Sequence, residues 1–285
     1  MFYLIDKPLA ITSFDVLREM RKMLGVRKMG HTGTLDPLAT WLLLVATGNS
    51  TKLIAEIDKT YKHYRFTVGL DGQSASLDRG TPVEWVDISK YLPRSEKELE
   101  LFLSSQTKQI PPKYSALHVD GERAYRLAQS GKEFELKERS IVVKNVIIHE
   151  YLPPERVEIS LTISSGGYIR SFAPLIGKFF GINGGYITSL RRTGIYISDR
   201  VFLTEKDSCK IDTLFPISYS YLFPTIHTLD ISEQQYVDLL NGKSITPEDM
   251  WELQIWEKYF LKYRDHFLSL CQFGAEWFII IRNNV

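Results

Sequence analysis

Extended backbone dominates the readable part of this 285-residue chain, and its strands are not separated by the regular helices of a doubly wound sheet. Tyr64 to Leu70 alternates as a half-buried strand does, Val157 to Ser164 alternates cleanly, and Ile141 to Tyr151 is β-branched and apolar. The opening Met-Phe-Tyr-Leu-Ile-Asp-Lys-Pro reads as a short first strand, and Trp277 to Ile281 as a last one. Helical candidates are few. Ser13 to Leu24 carries Phe14, Val16, Leu17, Met20 and Leu24 near helical spacing, with Thr12 or Ser13 as its cap. Glu96 to Ser104 and Ala124 to Ser130 follow, the second stopped by Gly131. The pattern predicts a mixed α+β fold with hairpins.

Composition narrows the class. With 44% hydrophobic and 24% charged residues, disorder is not the expectation. The apolar run Trp41 to Ala46 is too short to cross a bilayer, and the opening segment lacks the layout of a signal peptide. Only Cys209 and Cys271 occur, neither in a CxxC or Cys/His cluster, so a disulfide framework and a structural zinc are not expected. These features predict a cytoplasmic protein with no membrane partner. From Asp230 onward 5 Lys/Arg stand against 9 Asp/Glu, which leaves 30 against 25 of the total 35 and 34 before it. A phosphate-binding surface therefore belongs in the larger N-terminal part, because such contacts need local rather than net positive charge. Pro216 and Pro224 bracket a break, dividing residues 1–224 from a small acidic segment, 225–285.

The chemistry concentrates in Gly30-His31-Thr32-Gly33-Thr34-Leu35-Asp36-Pro37-Leu38-Ala39-Thr40. Two glycines and two threonines compress a polar loop that ends in a carboxylate just before a proline. The proline holds Asp36 away from helical backbone, and the small residues let a ligand approach closely. Asp-Pro beside glycine is also a common turn, and the loop alone does not separate the two readings.

The full string resembles the signature loop of the TruB pseudouridine synthases, in which the aspartate is catalytic. Ile5-Asp6-Lys7-Pro8 with Ile11-Thr12-Ser13 resembles the opening motif of that family. Ala46 to Lys52 resembles the end of the helix after the aspartate loop, and Lys59-Thr60-Tyr61 the motif with the active-site tyrosine. Gln109 to Ala116, with Gly121 and Arg123-Ala124-Tyr125, resembles the TruB insertion. Gly167-Tyr168-Ile169-Arg170-Ser171 resembles the motif with the active-site arginine, and Leu190 to Gly194 the last catalytic motif. The matches run in order from about residue 5 to 194.

The resemblance implies a pseudouridine synthase fold, a mixed and largely antiparallel sheet flanked by helices. It adds an insertion at about 104–140 and a small PUA-like C-terminal domain. It implies isomerisation of uridine 55 in the T loop of tRNA to pseudouridine, by base flipping and aspartate catalysis, with neither cofactor nor metal and with a monomer as the working state. Asp36, Tyr61 and Arg170 carry the catalytic roles. Arg170 would pair with Asp36, and Tyr61 would stack on the flipped base. His31 would help to occupy the space the base vacates, Leu190 would wall the pocket, and Tyr168, in the arginine motif, would bind substrate. Lys7 and Lys52 face phosphate or support the aspartate loop. Lys113, Arg123 and Arg126 form a basic cluster that would grip the T arm. The alternative is a tRNA-binding or folding module on the same scaffold with little catalysis.

Four positions depart from the family pattern. Trp41 replaces a glycine, Ser74-Ala75-Ser76-Leu77-Asp78 stands where the family shows Thr-Asp-Thr before a further aspartate, His118 replaces a lysine, and Pro174-Leu175 replaces an Arg-Asp pair. A hydrolase sharing only the loop would need a second carboxylate near Asp36, and the motifs supply none.

Overall fold

The computed structural model describes residues 1–198, 201–241, 243–246, 253–264, 266–274 and 278–283. A mixed sheet runs in the order Phe2–Lys7, Ala39–Thr47, Tyr186–Ile197, Lys59–Gly69, Arg156–Ser164, Val143–Leu152. Met29–Thr32 and Val201–Leu203 extend it at its sides. Neighbouring strands are antiparallel except where Tyr186–Ile197 lies parallel to Ala39–Thr47. The expected mixed, largely antiparallel sheet flanked by helices is therefore present.

Local rules explain the elements. Ser13–Leu24 is a helix because Val16, Leu17 and Met20 bury one face while Thr12 and Asp15 close a reciprocal cap. Gly25 then takes left-handed backbone (φ +64°) and stops it. Glu96–Ser104 begins with the same device, Ser95 with Glu98. On the central strand, Tyr64, Phe66 and Val68 are buried against Leu161, Ile159 and Val157, and the helix Phe172–Phe179 covers this face.

One expectation about the segment after the aspartate loop is overturned. Ala39–Thr47 is a strand followed by the 3-10 segment Gly48–Glu56, so Ala46 to Lys52 does not end a helix. Its apolar run is continuous because both faces are covered: Leu43 and Val45 on one side, Leu42 and Leu44 on the other. Trp41 occupies φ +77°, a conformation that favours glycine, and its ring is buried beneath the Arg191 guanidinium at 3.4 Å.

The segment resembling the insertion is closed at its base by Lys108–Gln109 paired with Arg139–Ser140. Within it lie the hairpin His118–Val119 with Glu122–Arg123 and the helix Ala124–Gln129. Toward the C-terminus a second sheet runs His227–Asp230, Lys258–Tyr263, His266–Phe273, Phe278–Asn283. It docks on the first: Phe260 and Leu270 pack with Phe2 and Leu4, and Glu56 pairs with Lys258 (2.9 Å) and Arg282 (3.1 Å).

Candidate active site

The Asp36 loop is clamped from the opening motif. The Ser13 hydroxyl accepts from Leu35 N (2.9 Å) and donates to Leu35 O (3.2 Å). Lys7 is fully buried, and its ammonium donates to Pro8 O, Ile11 O and Pro37 O at 2.7–3.2 Å. All three of its hydrogens are thereby used, which excludes the phosphate-facing reading and leaves loop support. Burial draws its pKa down to about 8, although Asp36 opposes the shift.

Asp36 meets a guanidinium fork. Arg170 Nε lies 2.9 Å from Oδ2 and Nη2 donates to Oδ1 at 3.0 Å. The Arg170 side chain is only 5% exposed, whereas Asp36 keeps 35% of its side chain open. Arg170 also donates to Ser76 O (3.0 Å) and Tyr114 O (2.8 Å). Burial pushes the Asp36 carboxyl above its ordinary value; Arg170 opposes this and nearby Asp78 reinforces it.

Asp78 is the second carboxylate that the motifs do not reveal. It is buried, accepts from Ser76 Oγ (2.6 Å) and Gly80 N (2.8 Å), and stands 3.7 Å from Arg170 Nε. With Asp36, Leu38 and Leu190 it lines a narrow crevice. The departure Ser74 to Asp78 thus holds an anion through serine hydroxyls. Sequence spacing hides this, because 42 positions separate the two carboxylates.

Tyr61 does not join this group. Its ring meets Lys144 Nζ at 4.0 Å and the Tyr196 ring at 6.4 Å, on the face of the strand opposite Lys62, Tyr64 and Phe66. Leu190, which lines the Asp36 crevice, packs against the core group that includes Tyr64. Lys62-His63-Tyr64 repeats the Lys-x-Tyr pattern three residues on, and strand parity puts Tyr64 on the face opposite Tyr61.

The remaining candidates are spread out. Tyr168 is half-buried, and its backbone exchanges two hydrogen bonds with the Gln109 amide (2.6 and 3.1 Å). Ser171 Oγ donates to Ile110 O (2.7 Å), so the insertion is tied to the arginine motif. His31 is partly buried, and burial and then Arg192 pull its pKa down. Lys52 sits in Gly48–Glu56, where its carbonyl accepts from Arg282. Lys113, Arg123 and Arg126 are exposed on the insertion: Lys113 over Phe134, Arg126 beside Tyr125, and Arg123 bonded to Ala116 O.

Comparison with known proteins shows the family and the fold. The profile of the TruB family pseudouridylate synthase N-terminal domain matches residues 21–169. The chain is 36% identical to tRNA pseudouridine synthase B of Aquifex aeolicus (strain VF5) over 247 residues, 85% of each chain. It is 33% identical over 281 residues to the protein of that name from Campylobacter curvus (strain 525.92), covering 95% of this chain and 93% of the relative. Among solved structures it resembles a Cbf5-Nop10-Gar1 complex chain (TM-score 0.63, 17% identity, 100% of this chain and 84% of that one). A chain of an H/ACA ribonucleoprotein bound to a substrate RNA containing 2′-deoxyuridine matches similarly (TM-score 0.62, 16% identity, same coverage). At such identities the structural matches show a common fold. With the forked Asp36–Arg170 pair at the crevice and relatives aligned over nearly the whole chain, this protein belongs to the TruB family of pseudouridine synthases.

Proposed function

We propose that the chain converts uridine 55 in the T loop of tRNA to pseudouridine, with Asp36 as the catalytic carboxylate. The observation that carries this is the partly open Asp36 carboxylate lining the crevice, gripped on both oxygens by a buried arginine. The uridine must leave its stack to reach such a site, and the pocket must replace the lost stacking. In this reading Tyr64, which shares the Leu190 side of the sheet, supplies that contact.

The reaction breaks the bond between N1 and C1′, turns the base, and joins C5 to C1′, while C5 loses its proton and N1 gains one. Nothing is oxidised and no water is consumed. Attack on ribose, attack on the base and removal of a ribose proton all require Asp36 ionised and held still. Arg170 favours the anion electrostatically and fixes its plane, since a guanidinium fork allows only one orientation of the carboxylate. Lys7 and Ser13 fix the loop that carries it.

The test is tritium release from tRNA labelled at uridine C5, with parent and Asp36→Asn. The variant should keep most tRNA affinity and lose turnover. Near-normal turnover by it would remove Asp36 from the mechanism, and retained binding without activity in the parent would favour a tRNA-folding role.

A further inference from the structure

Beside the Asp36 loop two cations face one another without an anion. Lys62 Nζ and Arg192 Nη1 lie 3.4 and 3.5 Å from the point where a β-carbon on Gly33 would stand. Arg192 is 1% exposed and donates to Leu42 O (2.8 Å) and Gly33 O (3.1 Å). Among the described residues neither side chain has a carboxylate within ion-pair reach, and the Lys62 ammonium has no hydrogen bond. Three further buried polar atoms without partners flank the same spot in the chain: His31 Nδ1, Thr32 Oγ1 and Thr193 Oγ1.

Such a grouping costs stability in the free protein. Two like charges repel, partial burial strips their water, and unsatisfied donors add to the loss. Burial, and then Arg192, draw the Lys62 amine down to about 8, which is the same cost seen through proton affinity. Structural lysines in this protein look different: Lys7, equally close to the loop, spends every hydrogen on a carbonyl. Lys62 keeps its donors free and is only partly buried, and Gly33 at φ +80° offers no side chain to fill the gap.

We propose that Lys62 and Arg192, closing over Gly33, seat one backbone phosphate of the RNA next to the extruded nucleotide. This rests on the reading of the chain as acting on tRNA. A phosphate there would satisfy both cations at once. It would also hold the sugar–phosphate chain against the glycine backbone, beside the loop that positions Asp36. Lys62 is thus a binding residue whose neighbours were left without a counter-ion because the substrate brings one.

The experiment compares parent, Lys62→Met and Lys62→Arg as full-length proteins, measuring affinity for a T-arm stem-loop RNA across a salt titration, with thermal melting alongside. Lys62→Met should flatten the slope of log affinity against log salt by about one, the contribution of one phosphate contact, and Lys62→Arg should restore it. The melting temperature of free Lys62→Met should equal or exceed that of the parent, because a repelled cation has gone. A folded Lys62→Met with an unchanged salt slope overturns the proposal. Should Lys62→Met not fold, inorganic sulfate decides: raised at constant ionic strength, it should stabilise the parent, and no stabilisation overturns the seat. A sulfate response without a change in the RNA slope assigns the site to free anions and also overturns the RNA assignment. Failure of the underlying reading shows separately, as absence of pseudouridine formation by the parent itself.

Discussion

The two tyrosines of the Lys59 to Tyr64 segment show what a single residue position decides. A strand sends successive side chains to opposite faces, so a shift of three residues changes the face as well as the depth. Tyr61 stands against Lys144 and Tyr196, while Tyr64 is 7% exposed on the face that carries Leu190. Tyr64→Leu should therefore reduce pseudouridine formation by at least a hundredfold with modest change in tRNA affinity, whereas Tyr61→Leu should stay within a few-fold of the parent. Tritium release by the two variants in parallel checks this, and a larger loss in Tyr61→Leu would reverse the assignment. The cue was in the sequence: Tyr64, Phe66 and Val68 alternate as one buried face, and Tyr61 falls on the other. The Asp36–Arg170 pair was legible because both residues sit in long motifs. Asp78 and Lys62 were not, because each acquires its meaning only from side chains brought near by folding.

Among the elements, those governed by local rules were readable to the residue. Ser13–Leu24 and Glu96–Ser104 carry their own caps and amphipathic spacing, and the structure gives those same limits. Ala39–Thr47 was missed because burial on both faces erases alternation, leaving a run that has no period to read. The insertion is the element on which RNA affinity is expected to depend. Its base is held by Gln109 to Tyr168 and by Ser171 to Ile110, while Lys113, Arg123 and Arg126 remain on the outside. Changing those three to glutamine should weaken tRNA binding strongly and reduce the salt slope by up to about three, since each phosphate contact releases its share of counterions. Glutamine at 123 still offers a donor to Ala116 O, so the hairpin should persist. An unchanged slope in a salt titration, with circular dichroism showing the fold retained, would place the RNA grip elsewhere.

At the level of the whole molecule, the C-terminal sheet is part of the support of the larger one. Its Phe260, Leu270 and Ile281 share a core with Phe2, Leu4, Leu42 and Leu44, and Glu56 is clasped by Lys258 and Arg282. A chain cut after residue 229 would expose that apolar surface along the first strand. Such a truncation should melt at a markedly lower temperature than the parent, or lose its cooperative transition, when followed by circular dichroism. An unchanged melt would show that the two sheets are stable independently. The net acidity of the segment still argues that its contribution is to stability more than to phosphate contact.

The Arg170 guanidinium touches Asp36 with one edge and the Tyr114 carbonyl of the insertion with the same Nη2 nitrogen. One planar, rigid group therefore joins two parts of the fold, the Asp36 crevice and the insertion. Linkage is reciprocal: whatever free energy the insertion gains by settling on a stem is available to orient the carboxylate, and an oriented carboxylate favours the settled insertion. Under the proposed function, recognition of the surrounding RNA and readiness for chemistry become two readings of the position of a single side chain.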